Sequence, residues 1–145
     1  MKLKKMRIIL TLVGFLLLLY ILFKIFSFLF IPAEQVTNLP TKNILVEYTK
    51  IEIKPLPLKK GNDFGFLITI QSNQEPDILS LDLKTTSLLE DNSGNDFEAK
   101  SWIILKKDLY KVQGKLFFNH KFNSQKFIKL NLFDGDNFTV KWNLK

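Results

Sequence analysis

Cysteine is absent from the 145-residue chain. Disulfides, thiol catalysis, zinc–thiolate centres and thiolate-held iron–sulfur clusters are therefore excluded. So is a lipid-modified cysteine at a mature N-terminus. Histidine occurs once, at His120. A nucleophilic triad needs a nucleophile, this ring as base and an orienting acid, and no Gly-x-Ser-x-Gly elbow supplies the first. A phosphate loop is missing too: Gly61-Asn62-Asp63-Phe64-Gly65 is followed by neither Lys-Ser/Thr nor a helix. Internal repeats and low-complexity tracts are lacking.

A basic stripe is another absence. The net charge is +7, which at first suggests nucleic acid. Lys2, Lys4, Lys5, Arg7 and Lys24 lie in or beside the long apolar run, however. Residues 32–145 retain 16 Lys against 14 acidic groups, a net +2, with the two signs interspersed. Most of the basic excess is an orientation signal, and no nucleic-acid partner is expected.

What the chain does have is that apolar run. Ile8 to Ile31 reads IILTLVGFLLLLYILFKIFSFLFI. As a helix it is about 36 Å long, enough to cross ~30 Å of hydrocarbon with tilt. Lys24 opposes insertion but can bend its ammonium to the interface. Residues 1–7 carry four positive charges and no negative one, which by the positive-inside rule keeps this end cytoplasmic. A cleaved signal peptide is the main competitor. Its apolar core is shorter, and Phe30-Ile31-Pro32-Ala33-Glu34 lacks an Ala-x-Ala site. The expected organisation is a basic cytoplasmic tail (1–7), a transmembrane anchor (8–31), a polar linker stopped by Pro32 (32–43) and an extracytoplasmic domain (44–145).

From residue 44 the hydrophobic period becomes two. Phe64, Phe66, Ile68 and Ile70 hold one phase; so do Leu79, Leu81 and Leu83; Leu116 and Phe118; Ile128, Leu130 and Leu132; and Phe138, Val140, Trp142 and Leu144. Each set predicts a strand with one face in a core. In residues 44–53, Val46 and Tyr48 hold one phase and Ile51 and Ile53 the other, which predicts a bulge or bend near Thr49. Turn formers punctuate the strands at Lys59–Asp63, Asn73–Asp77, Asp91–Asn95 and Asp134–Asn137. Strands at roughly 8–12-residue spacing, with no helix between, predict an all-β antiparallel immunoglobulin-like sandwich of about seven strands, preceded by one N-terminal transmembrane helix.

Candidate chemistry in this domain is sparse. His120, at a strand end in Phe117-Phe118-Asn119-His120-Lys121-Phe122, is expected to be an exposed loop residue. Asp91, Asn95 and Asp96, and then Asp134, Asp136 and Asn137, offer oxygen ligands of the kind calcium takes, but neither set matches a calcium-loop signature and turn formation accounts for both. Most aromatics fall at core parity. Phe117, Phe122 and Phe133 fall elsewhere and are the candidates for an exposed platform. Lys106, Lys107, Lys111 and Lys115 form a local basic stretch whose usual meaning is a solvated face, with anionic lipid or wall polymer as the alternative. Asn137-Phe138-Thr139 is a glycosylation sequon, relevant only to a eukaryotic secretory route. No catalytic, cofactor-binding or metal residue is assigned, and no enzyme is expected.

Residues 46–144 resemble an uncharacterised family of membrane-anchored or secreted bacterial and archaeal β-sandwich domains. The likeness runs through Leu81-Asp82-Leu83, Ser87-Leu88-Leu89-Glu90-Asp91 with Gly94-Asn95, Ser101-Trp102, Gly114-Lys115-Leu116-Phe117-Phe118 and Val140-Lys141-Trp142. Members of that family carry a Thr-His-Ser and a Gly-His-His-x-Ser-Gly stretch. This chain has Ile70-Gln71-Ser72 and Tyr110-Lys111-Val112-Gln113-Gly114 there, so any metal bound by those histidines in relatives has lost its ligands here. The resemblance implies an immunoglobulin-like sandwich and no activity. The expected role is a non-enzymatic interaction or structural module at the outer membrane surface, held by the bilayer and meeting another envelope protein or surface polymer. A ligand- or ion-binding domain for sensing or delivery is the alternative.

Overall fold

The computed structural model describes residues 2–29, 36–133 and 138–144, with side chains described from residue 13 to residue 26 of the first segment. Two compact units divide the chain, Met1–Glu34 and Gln35–Lys145.

The first unit is one helix, α1 (Lys2–Leu29). Leu, Ile and Phe dominate it, and it contains no proline or acidic residue to break or cap it. Its described side chains, Val13 to Phe26, are exposed on every side. They cover only about 21 Å of helix. Among the described residues no helix is long and apolar enough to cross a membrane.

The second unit is antiparallel β. A short pair joins β1 (Val36–Thr37) to β4 (Leu58–Lys59). The other eight strands are β2 (Lys42–Val46), β3 (Thr49–Pro55), β5 (Asp63–Ser72), β6 (Ser87–Asp91), β7 (Asp96–Lys107), β8 (Lys111–Lys121), β9 (Phe127–Leu132) and β10 (Thr139–Asn143). They form one sheet in the order β10-β9-β6-β7-β8-β5-β3-β2.

β7 makes this sheet continuous. Its first residues, Asp96 to Glu98, pair with β6. From Ala99 to Lys107 it pairs with β8, and the register slips between Ala99 and Ser101 and again between Ile104 and Lys106. Such slips bend and twist a strand, and the two halves of the sheet share one core. Trp142 of β10 lies 5.4 Å from Phe66 of β5, although four strands separate them in the sheet order. The Trp142 indole N–H also donates to the Pro40 carbonyl oxygen at 2.8 Å, just before β2. The two ends of the sheet are thus drawn together.

The alternating strands hold. Phe64, Phe66, Ile68 and Ile70 on β5, Leu116 and Phe118 on β8, and Ile128, Leu130 and Leu132 on β9 are all buried. Three readings are corrected. Residues 44–53 are two strands rather than one bent strand: a two-residue turn at Glu47-Tyr48 separates β2 from β3, with Glu47 at φ 48° in the left-handed region. Leu79, Leu81 and Leu83 do not form a strand. Pro76 has no N–H for a ladder, and Pro76–Ser80 winds into a 3-10 turn instead. The Asp82 carboxylate then accepts the Lys84 N–H at 3.0 Å, closing the following bend. Leu79 and Leu83 still reach the core while Leu81 stays exposed. The domain has ten strands among the described residues rather than about seven, eight of them in the main sheet, and because β7 belongs to both halves, this order alone does not make the fold immunoglobulin-like. Residues 36–43, read from sequence as linker, carry β1 and the first residues of β2. The turn expected at 134–137 lies outside the described residues.

Candidate functional site

His120 sits on β8, not in a loop as expected, and its side chain is only 15% exposed. Strand alternation explains why. Leu116 and Phe118 point to the core, so His120 shares their face at the strand's end. Its ring stacks on Phe97 of β7 at 3.6 Å between centroids and 12° between planes. Phe64 of β5 also stacks with it, 5.5 Å away at 21°. Phe122, a candidate platform residue, is buried and meets Phe64 edge-on at 5.9 Å. Phe133 packs edge-on against Phe138 at 5.1 Å, and Phe117 is half-buried. No platform is assembled from these three.

His120 Nε2 faces two groups: the Asp91 carboxylate at 3.1 Å and the Gln125 side-chain nitrogen, also at 3.1 Å. Gln125 is itself fixed, since it donates to the Lys121 carbonyl at 2.9 Å and accepts the Asn123 N–H at 2.8 Å. Asp91 closes the β6–β7 turn. Its other carboxylate oxygen accepts the Ser93 N–H at 2.8 Å and the Ser93 hydroxyl as well. Burial pushes the Asp91 carboxyl upward. The Ser93 hydroxyl and N–H, with the charge and hydrogen bond of His120, outweigh burial and hold it below its ordinary 3.8.

Ser93, Asp91 and His120 therefore form a chain in the wrong order for nucleophilic catalysis. The hydroxyl is bound to the acid rather than to the base, and its oxygen accepts the Asn95 amide at 2.9 Å. A triad places the base between the other two. What this cluster does is join loops. Asp91 ties the β6–β7 turn to β8, and Asn92 Oδ1 accepts the Lys126 N–H of the β8–β9 loop at 2.7 Å. Among the described residues no three potential metal ligands converge. Asn95 bonds Ser93 within the turn and Asp96 is the first residue of β7, and Asp134, Asp136 and Asn137 lie outside the described residues.

The most unusual surface is at the opposite end of the sheet. There the β7–β8 hairpin, with its turn at Asp108-Leu109-Tyr110, carries Ile103, Ile104, Leu105, Leu109 and Tyr110, each about half exposed or more. Lys106, Lys107 and Lys111 are exposed around them and Lys115 is half-buried. The basic stretch is therefore solvated, as expected, but it surrounds apolar side chains that the periodicity did not single out. Ser72 N–H donates to the Tyr110 carbonyl at 3.0 Å, which anchors this tip to the end of β5. Nearby, Leu45, Glu47, Tyr48, Lys50 and Gln71 line an open groove of about 510 Å³. Ile103 to Leu105 follow Trp102 without a period of two, so only their crowding marked them in the sequence.

No family model matches the chain, and no curated protein does. Among solved structures it is similar to a conserved domain protein from Bacillus anthracis, at 12% identity and a TM-score of 0.46. That likeness covers 68% of this chain and 35% of the other, so the chain spans about a third of its neighbour's length.

Proposed function

We propose that the chain is a single-pass, membrane-anchored interaction module without enzymatic activity. Its N-terminus is cytoplasmic, residues 8–31 lie in the bilayer, and the β domain stands outside as an immunoglobulin-like sandwich related to the uncharacterised family it resembles. The exposed apolar and basic strip on the β7–β8 hairpin carries this reading. Soluble surfaces rarely leave several large aliphatic side chains together unless something covers them.

The anchor is supported by the composition of Ile8–Ile31 and by the all-round exposure of Val13 to Phe26. A helix with no polar face has no side to turn toward water. Each Leu, Ile, Phe or Val favours insertion by roughly 0.3–0.6 kcal/mol, several kcal/mol in sum. Alkaline carbonate washing of native membranes should leave the protein in the pellet. Protease added outside should remove the β domain and spare the tail. Release of a soluble product by carbonate alone would refute the anchor. Photo-crosslinking from a probe at Leu105 should yield one defined adduct; bulk labelling alone would refute the interaction role.

A further inference from the structure

β6 leaves the side of β7 after Glu98. From Lys100 to Lys107 only β8 lies beside β7, and the other edge has no strand against it among the described residues. That edge carries three consecutive exposed aliphatics, Ile103, Ile104 and Leu105, then Lys106 and Lys107. Across the ladder stand Lys111 and Lys115. Asp108 is the only acidic residue between Ala99 and Leu116, and its carboxylate accepts the Tyr110 N–H at 2.9 Å.

We propose that this edge takes up an extended segment of a partner protein as an added strand, with apolar side chains meeting Ile103–Leu105 and acidic ones meeting Lys106 and Lys107. The proposal rests on the interaction-module reading and supplies its partner chemistry. An unpaired strand edge presents a ladder of backbone donors and acceptors that an incoming strand satisfies. Charge selects the occupant. Of the five lysines in that stretch, Lys100 pairs with Asp63 at 3.1 Å; the other four, against one engaged carboxylate, favour an acidic segment. A second copy fits poorly, because it brings the same excess of lysine, Lys106 and Lys107 with Lys111 and Lys115, to the edge, and like charges across a strand pair destabilise. Lipid fits poorly because open sheet edges leave backbone groups unsatisfied in hydrocarbon. Edge lysines also guard sheets against unwanted pairing, but guarding does not account for three adjacent aliphatics beside them.

The test uses the full chain in detergent and a fluorescent peptide alternating valine and glutamate. Two controls accompany it: a valine–lysine peptide, and the acidic peptide N-methylated at every residue so that neither edge can donate hydrogen bonds. Fluorescence anisotropy should show the acidic peptide binding about tenfold tighter than either control. The double variant Lys106→Glu/Lys107→Glu alters only exposed side chains and should reverse the charge preference. Equal binding of the methylated peptide would overturn strand addition, as would absence of binding. Concentration-dependent dimerisation lost in the double variant would assign the edge to a second copy and overturn the proposal. Binding to anionic vesicles, also lost in that variant, would assign it to lipid and overturn it equally. A crosslinked partner that maps away from β7 would leave the interaction role standing and remove only this edge.

Discussion

Replacing Gly114 with alanine tests the packing between β7 and β8. Gly114 lies in β8 opposite Ile104, with Trp102 folded over it. A Cβ there would stand 2.5 Å from Trp102 Cη2, 2.7 Å from Cζ3 and 2.6 Å from the Ile103 carbonyl oxygen. Carbon atoms prefer about 3.5–4.0 Å. The indole can tilt only by leaving its place beside the core, and the carbonyl belongs to the backbone, so β7 itself must move. Overpacking of this kind costs about 1–3 kcal/mol. Alanine's smaller entropy loss relative to glycine returns roughly 0.5–1 kcal/mol. With contacts this short, one of them to backbone, the overpacking cost falls in the upper half of its range, about 2–3 kcal/mol, so the net loss should be about 1–2.5 kcal/mol, or a fall in Tm of roughly 4–20 °C for a domain of this size. Thermal unfolding of the full chain in detergent, followed by tryptophan fluorescence and near-UV circular dichroism, measures it. Adding Trp102→Leu to Gly114→Ala should cost less than the sum of the single changes, because the ring contacts are then gone. An unchanged or higher Tm for Gly114→Ala would refute the reasoning.

Three further outcomes follow from the described contacts. Because the Asp91 carboxyl sits below its ordinary 3.8 in the folded state, its stabilisation is complete above that value and lost as pH falls through the lower folded value. Acid titration of Tm should therefore be flatter in Asp91→Asn than in the unaltered chain, and parallel curves would contradict the assignment. Trp142→Phe removes the donor to the Pro40 carbonyl and leaves a void beside Phe66. It should cost about 1–3 kcal/mol in denaturant unfolding, with faster amide exchange in β2, and a loss below about 0.5 kcal/mol would contradict that packing. Ser87 has a buried hydroxyl with no hydrogen-bond partner among the described residues. Ser87→Ala should thus leave stability unchanged or raise it by up to about 1 kcal/mol, and a clear loss in the same unfolding measurement would reveal a missed partner.

Strict alternation made β5, β8, β9 and β10 legible in advance. Each has one buried and one wetter face, and side chains that alternate across a strand write that difference directly into residue order. The apolar run of Ile8–Ile31 was equally plain, since its composition needs no partner to be read. β7 escaped notice. Its middle has both faces exposed and a slipped register, so Trp102-Ile103-Ile104-Leu105 shows no period. Leu79 and Leu83 kept strand parity yet reach the core from a 3-10 turn and a bend. Burial alone does not record which backbone delivers a side chain. His120 was the furthest from its expected setting. Nothing adjacent in sequence marks it, because Phe64, Phe97 and Asp91 come from three other strands. Local pattern thus determined where most of the core-forming strands lie and that an apolar helix precedes them, though that helix already begins at Lys2 rather than Ile8. Tertiary structure decided which strand bridges the two halves of the sheet, which edge is left open, and which rings and carboxylate gather around His120. Those outcomes depend on long-range pairing, which residue order constrains only through the fold as a whole.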